Sequence, residues 1–221
     1  MVAACQNAGV ILMEAFMWRH QPRTLGIRQM VRQGDIGELR FIRSSFSFPI
    51  APDDWRLDRL RGGGSLWDVG CYGVNMARFF TGEEPTRVHS FARFGPSGVD
   101  LSLTASLEFP SGVLAAVDCS FEQPFRCHYE LCGTRGLIDV PLAYLPAAGS
   151  KPAAALTQIE TEKNSDSRPQ QSKHLEFEPD DQYAAMVDRF GRSVLSRRLL
   201  DPCEDGLAQM IVLERVLATR D

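Results

Sequence analysis

Residues 101–121 read LSLTASLEFPSGVLAAVDCSF, and this stretch determines the fold class. Apolar side chains recur at every second position as far as Phe109 and again from Val113 to Phe121. A period of two is typical of strands that bury one face. Between the two runs, Pro110-Ser111-Gly112 has the composition of a tight turn. The stretch therefore predicts two antiparallel strands joined as a hairpin.

The rest of the chain extends this hairpin into a larger sheet with helices. Further strands are predicted at 39–48, 88–94, 127–131, 137–140 and 175–178, with a short edge strand near 156–159. Amphipathic helices are predicted from Pro22 to Gly34, from Ser65 to Gly82, after Pro179-Asp180 and after Pro202. We expect an α+β fold in which a large, open and mostly antiparallel sheet is covered by helices on one face.

Two regions depart from this pattern. Residues 1–14 predict a helix ending at Gly9, followed by a buried strand at Val10–Met13, as in an αβ unit that is entered halfway. Residues 147–173 are rich in Ala, Ser, Gln, Lys and Pro, and we expect a weakly structured surface loop there. The residues therefore predict a short remnant at 1–14 and one α+β domain at 15–221; its substrate-binding and oligomerisation role comes only from the family resemblance described below.

Composition excludes several classes of function. The 221 residues carry a net charge of −4 without a basic cluster, which argues against nucleic acid or an anionic membrane as a partner. No apolar run reaches the roughly 20 residues of a membrane span, and no leader segment is evident. The six cysteines form no CxxC pair and the four histidines lack ligand spacing, so no metal is expected. We expect a cytoplasmic protein.

The segment GGGSLWDVGCY, residues 62–72, allows two interpretations. In the structural one, Ser65-x-x-Asp68 is a capping box at a helix start and Tyr72 is a core aromatic residue. In the functional one, Asp68 and Tyr72 lie one turn apart on the same face, so the acid can orient the tyrosine hydroxyl. Tyrosine has a pKa near 10, so acid–base work at neutral pH needs a neighbouring cation or cofactor charge. Sequence physics alone leaves both open.

A set of motifs then resembles one known family. They are Glu14-Ala-Phe-Met-Trp-Arg-His-Gln-Pro22, Gly34-Asp-Ile-Gly-Glu38, Trp55-Arg56, the segment 62–72, Gly82-Glu-Glu-Pro85, Gly133-Thr-Arg-Gly136 and Asp181-Gln-Tyr183. In this order they resemble the Gfo/Idh/MocA oxidoreductases over nearly the whole chain, above all the sugar and dihydrodiol dehydrogenase branch. The resemblance implies the C-terminal domain of that family, NAD or NADP as cofactor, and a small carbohydrate-like substrate.

The resemblance also implies roles for individual residues. Tyr72 would exchange the proton of the substrate hydroxyl while hydride moves between the substrate carbon and nicotinamide, and Asp68 would orient the substrate or the tyrosine. Arg19, Trp55 and Arg56 match positions near the substrate pocket.

Two further residues keep open alternatives. His20 is either a second substrate contact beside Arg19 or a surface or capping group. Glu14 either anchors Arg19 or faces the cofactor cleft. An uncovered sheet face would expose an apolar patch, so we expect a homo-oligomer through that face.

The departure from the family pattern is large. No glycine fingerprint of a Rossmann domain follows a strand, and Glu162-Lys163 is followed by Asn164 rather than by the proline of the family's Glu-Lys-Pro motif. We therefore expect an N-terminally truncated enzyme that is inactive alone. The alternative is a non-catalytic binding, regulatory or scaffold protein derived from the family. The substrate and the choice between NAD and NADP are not readable, because cofactor choice belongs to the absent domain.

Overall fold

The computed structural model of the protein describes residues 1–146, 149–158, 171–198 and 203–219. Its helices are α1 (Val2–Ala8), α2 (Pro22–Gln33), α3 (Cys71–Thr81), α4 (Gln182–Ser196) and α5 (Cys203–Ala218). Its strands are β1 (Leu39–Ser47), β2 (Arg87–Phe94), β3 (Asp100–Glu108), β4 (Leu114–Ser120), β5 (Arg126–Gly133), β6 (Gly136–Pro141), β7 (Ala153–Gln158) and β8 (Gln171–Glu176). Short 3₁₀ turns lie at Met17–His20, Trp55–Leu57 and Arg59–Arg61, and a π-helical turn lies at Leu66–Gly70.

The eight strands form one sheet in the order β2-β3-β4-β1-β5-β6-β7-β8. The predicted hairpin is confirmed as β3 and β4, closed by the hydrogen bond from Phe109 N to Val113 O at 3.0 Å. Gly112 takes a φ of 82°, a conformation that side chains with a Cβ rarely adopt. All neighbouring pairs are antiparallel except β1 with β4. The mostly antiparallel α+β prediction is therefore confirmed.

Helix α3 packs closely on the centre of this sheet. A Cβ at Gly73 would lie 2.6 Å from Cγ1 of Val117, and a Cβ at Gly70 would lie 2.7 Å from Sγ of Cys119. These two glycines let the helix approach β4 more closely than any larger residue would allow. The segment with the predicted site residues is thus packed directly against β4 at the centre of the sheet.

The two regions at the margins of the pattern contain corrections. Helix α1 ends at Gly9 as predicted, but Val10–Met13 forms no strand, and Val10 is 56% exposed. An apolar run of four residues was therefore insufficient evidence for a strand, because nothing pairs with it among the described residues. In the predicted loop 147–173, the expected short strand near 156–159 is present as β7, but it is longer than expected and pairs with both β6 and β8, so the sheet extends further into this region than predicted. Residues 147, 148 and 159–170 lie outside the described residues.

The uncovered face of the sheet is mixed in character. Polar and charged side chains there bond across strands: Ser45 Oγ donates to Asp118 Oδ1 at 2.5 Å, and His128 Nε2 lies 2.7 Å from Asp139 Oδ2. Leu114 and Phe91 lie on the same face and are 49% and 54% exposed. The expected burial of this face in an oligomer stays a prediction.

Tyr129 offers a test of the core. It is completely buried, and its hydroxyl has no hydrogen-bond partner among the described residues. We expect Tyr129→Phe to raise the free energy of unfolding at pH 7 by about 1–2 kcal/mol, because a buried unpaired hydroxyl carries a desolvation cost. Urea denaturation measures this. Tyr144→Phe is the matched control and should lose stability, because the Tyr144 hydroxyl lies 2.7 Å from Ser44 Oγ.

The same variant has a predicted pH dependence. Burial raises the pKa of Tyr129 above its ordinary value of 10.0. Between the unfolded and the folded pKa, the folded state thus retains a proton that the unfolded state loses. The stabilisation that depends on this proton is full below pH 10 and is lost as pH rises through the folded pKa. Above pH 10 the wild type should lose about 1.4 kcal/mol per pH unit more than Tyr129→Phe. Parallel pH profiles for the two proteins would contradict this expectation.

Candidate active site

The glycine segment and the turn after it are held by an acid from the sheet. Ser65 Oγ and the Leu66 amide both donate to Asp100 Oδ2, each at 2.7 Å. The predicted capping box is therefore wrong, because the acceptor at this helix start is 35 residues further along the chain and Asp68 is engaged elsewhere. The turn at Leu66–Gly70 is π-helical, a form that occurs mostly as single turns and often at functional sites.

Asp68 forms an ion pair with Arg56, with Nε of the arginine 2.9 Å from Oδ1 of the carboxylate. The backbone of the glycine segment can approach the backbone of Arg56 only because residue 63 is glycine, since a Cβ there would lie 2.2 Å from the Arg56 carbonyl oxygen. The ion pair with Asp68 is the main reason why the pKa of Arg56 is raised. The Arg56 guanidinium also lies 5.0 Å from the ring centroid of Trp55, which is 46% exposed. The structure thus brings three predicted residues together.

Tyr72 lies in an aromatic cluster. Its ring centroid is 5.0 Å from that of Tyr144, 5.5 Å from Phe16 and 5.6 Å from Phe46. Its hydroxyl donates to Met17 Sδ at 3.5 Å, which is a weak acceptor. The ring is fixed by packing while the hydroxyl makes only one weak bond among the described residues. A stronger acceptor could therefore replace Met17 at little cost.

The protonation state of Tyr72 follows from its surroundings. Burial raises its pKa well above 10.0, and the negative charge of Asp68 acts in the same direction. The hydroxyl is therefore protonated at neutral pH and acts as a proton donor. To accept a proton, Tyr72 needs a cation beside it, and none is among the groups that act on it in the described structure.

Arg19 belongs to a different cluster. Its Nε donates to Asn75 Oδ1 at 2.7 Å and its Nη1 lies 2.5 Å from Asp205 Oδ2. The guanidinium also faces the rings of Phe16 and Phe79 at 5.7 and 5.4 Å. The structure therefore places this predicted substrate contact in an ion pair that ties α5 to the Met17–His20 turn.

The remaining predicted site residues, His20 and Glu14, lie in the Met17–His20 turn and just before it. His20 is half-buried at the end of the Met17–His20 turn. Glu14 is exposed and lies against α5, where a Cβ at Gly206 would come within 3.2 Å of its Oε2. The described hydrogen bonds do not join Glu14 to Arg19, so its role as an anchor of that arginine gains no support.

Sequence reasoning missed three residues that shape the site. Asp100 begins β3, directly before the alternating run that starts at Leu101. Asp205 lies in the first turn of α5, where an acid is ordinary on any helix. Tyr144 lies between Pro141 and Pro146, outside any periodic pattern. None of the three carries a local signal, because each acts on a partner far away in the sequence.

The described part of the chain offers neither a metal-ion cluster nor a membrane-spanning helix. Within the described ranges, no cluster of three or more His, Cys, Asp or Glu side chains is placed to hold a metal ion. No helix in the described part of the chain has the length and apolar character of a membrane span. The described sheet has a single parallel pair, and the chain leaves β1 through Pro49 and Pro52 rather than through a glycine loop into a helix. These residues do not fit a dinucleotide site.

Comparison with protein-family models places residues 24–139 in the GFO/IDH/MocA C-terminal domain. Among curated proteins, the chain is 37% identical over 193 residues to D-xylose 1-dehydrogenase (NADP(+)) 2 of Haloferax volcanii, covering 86% of this chain and 56% of the relative. It is 33% identical over 142 residues to trans-1,2-dihydrobenzene-1,2-diol dehydrogenase of Xenopus laevis, covering 64% and 43%. The chain spans about half the length of these relatives.

A solved structure shows the same fold. The 3-ketoreductase KijD10 from Actinomadura kijaniata, in complex with NADP and TDP-benzene, superimposes with a TM-score of 0.89 at 27% sequence identity. The match covers 99% of this chain and 65% of that one. The described sheet and helices therefore correspond to about two thirds of the KijD10 chain.

Proposed function

Because this chain belongs to the GFO/IDH/MocA family, we propose that it forms the substrate-binding and oligomerisation part of an NADP-dependent oxidoreductase. The substrate carbon bears a hydroxyl group, in a sugar, a polyol or a dihydrodiol. The observation that supports this best is Tyr72, whose protonated hydroxyl makes one weak hydrogen bond within a fixed aromatic cluster. The names of the relatives support the substrate class.

Tyr72 performs the proton step in this proposal. When a carbonyl substrate is reduced, the tyrosine hydroxyl donates a proton to the carbonyl oxygen. In the oxidative direction the same oxygen takes the proton back, which requires a cation to lower the raised pKa of Tyr72. The Asp68–Arg56 pair and the exposed ring of Trp55 offer hydrogen-bond partners and a stacking surface for a polyhydroxylated substrate.

The nicotinamide would supply or accept the hydride. The described residues do not fit a dinucleotide site, so in this proposal a separate domain holds NADP and no residue of the described sheet does. Glu14, which is exposed next to the site segment, is the one residue we assign to the cofactor side. The chain alone is therefore expected to be inactive.

A non-catalytic binding protein is the second candidate. It is favoured by the packing of Tyr72, because an aromatic cluster and a sulfur contact explain that residue without chemistry. Oligomerisation through the uncovered sheet face belongs to both proposals. On this face the contacts would be both polar and apolar, since His128 and Asp118 lie there together with the exposed side chains of Leu114 and Phe91.

The experiment uses the chain alone and joined to a cofactor domain. Purified alone, the chain is expected to give no NADPH binding in a fluorescence titration. Fused behind the part of the H. volcanii relative that it does not match, it is expected to bind NADPH and to turn over D-xylose, a trans-dihydrodiol or a nucleotide-linked ketosugar. Micromolar NADPH binding by the chain alone contradicts the division between domains. A folded fusion that binds NADPH and turns over none of these substrates favours the non-catalytic candidate.

A further inference from the structure

Arg23 is buried at 1% exposure in the first turn of α2. Burial lowers the pKa of its guanidinium, and the described hydrogen bonds include no carboxylate partner. A buried charge is costly unless hydrogen bonds replace its hydration. An amphipathic helix would ordinarily place an arginine in solvent, so this position needs a physical reason.

The guanidinium bonds mainly to backbone carbonyls of one loop, and its Nη1 also donates to Ala153 O at the start of β7, at 3.1 Å. Nη1 donates to Pro141 O at 2.9 Å, and Nη2 donates to Leu142 O at 2.9 Å and to Ala143 O at 2.8 Å. Leu142 has a φ of 45°, a left-handed conformation that is strained for a residue with a Cβ. Three successive carbonyls thus turn inward toward one cation, and the loop holds its strained form against it.

The next residue of this loop is Tyr144. It is completely buried, its hydroxyl lies 2.7 Å from Ser44 Oγ, and its ring is stacked on Phe46 at 5.6 Å. The Tyr144 ring centroid is also 5.0 Å from that of Tyr72, which itself lies 5.6 Å from Phe46, so the three rings pack against one another. Tyr144 therefore transfers the position of the loop to Tyr72.

A second connection runs through two glutamines. Arg23 Nη2 donates to Gln21 Oε1 at 3.3 Å, and Gln21 Nε2 donates to Gln182 Oε1. Gln182 Nε2 in turn donates to Tyr144 O at 3.0 Å. Gln182 begins α4 and directly precedes Tyr183, which is close enough to Tyr72 to act on it electrostatically. The start of α4 and the Tyr144 loop are thus tied to the same buried polar group.

We propose that Arg23 is a positioning residue of the Tyr72 site, because its guanidinium holds the 141–144 loop so that the Tyr144 ring packs on Tyr72 and excludes water. The functional meaning of this placement rests on the proposed function, whereas the placement itself can be tested without turnover. Tyr72 is faced by groups from every element around it. They are Asp68 and Cys71 from its own segment, Met17 from the 3₁₀ turn, Phe46 from β1, Cys127 from β5, Tyr144 from the loop and Tyr183 from α4.

The test is NMR of the 221-residue chain with carbon-13 at the tyrosine Cζ, with Tyr72 assigned through Tyr72→Phe. In the wild type the Tyr72 signal should stay in its protonated position at pH 10. In Arg23→Met water reaches the hydroxyl, so we expect the midpoint of this titration to fall by at least about one pH unit, toward 10. Arg32→Met is the matched control, because Arg32 is exposed on the same helix and the Tyr72 signal should not move.

The outcomes separate positioning from mere stability. A folded Arg23→Met protein with an unmoved Tyr72 signal overturns the proposal, even if its melting temperature falls. Where Arg23→Met does not fold, Arg23→Lys decides, since an ammonium cannot span three carbonyls: a shifted signal supports the proposal and an unmoved one overturns it. Failure of the proposed function shows differently, as a folded fusion that binds NADPH and turns over none of the substrates, and leaves this result unchanged.

Discussion

Replacing Tyr72 by phenylalanine is expected to lower turnover of the NADPH-binding fusion by about 10²- to 10⁴-fold while the fold is retained. This range is what a positioned proton donor contributes. Among the described tyrosines of the aromatic cluster, Tyr72 is the one whose hydroxyl makes only a weak hydrogen bond. The structural cost is small, because only a 3.5 Å hydrogen bond to Met17 Sδ is lost. Steady-state kinetics measure the effect, with circular dichroism as the check of folding.

Tyr129→Phe is the control for the loss of a tyrosine hydroxyl. Tyr129 is part of the buried core. Its ring centroid lies 6.2 Å from that of Tyr144 and does not contact Tyr72, so turnover should be unchanged. A near-normal kcat for Tyr72→Phe would refute the proton role and leave the packing interpretation. A raised KM with unchanged kcat would assign Tyr72 to substrate binding only.

The strands and helices were largely predictable because their signals are local. The alternation at 101–121 predicted β3 and β4, and Pro22 with Gly34 predicted both ends of α2. The parallel pairing of β1 with β4 had no such signal, since the two strands are separated by α3 and a hairpin. Val10–Met13 failed for the same reason, because an apolar run forms a strand only where a partner strand exists.

The candidate site was predictable in part. The spacing of Asp68 and Tyr72 and the resemblance around them indicated the right segment. In the structure Asp68 pairs with Arg56, whose guanidinium lies over the Trp55 ring. Their partners were not predictable. Asp100 caps the π-helical turn from 35 residues away, and Arg23 reaches carbonyls more than 100 residues further along the chain. Such partners depend on tertiary packing, which a pattern of period two or 3.6 does not encode.

Asp205→Asn is expected to lower the free energy of unfolding by about 2–3 kcal/mol at pH 7. Asp205 accepts from Arg19 and from Arg78, whose Nη2 lies 3.0 Å away and whose side chain is only 3% exposed. Loss of one partner leaves a buried cation less compensated, which costs about 3–5 kcal/mol in fully buried pairs. The value here is smaller, because Asp205 itself is 32% exposed and Arg78 keeps Gln209 and Glu84. Urea denaturation measures the difference.

Glu84→Gln is the matched control for the charge. It pairs with the same arginine, at 2.6 Å, but its side chain is 53% exposed, so about 1 kcal/mol or less is expected. Equal losses in the two variants would show that burial of the Asp205 cluster is not what stabilises it.

The acid limb gives a second test of Asp205. Burial acts to raise its pKa, but Arg19 and Arg78 outweigh burial, and the pKa lies below the ordinary 3.8. The folded state therefore binds this proton less tightly than the unfolded state. Its stabilisation is full above the unfolded value and is lost as pH falls through the folded pKa. The wild type and Asp205→Asn should consequently converge in stability as the pH falls below 3.8, whereas a constant difference would place the effect of the substitution in packing rather than in charge.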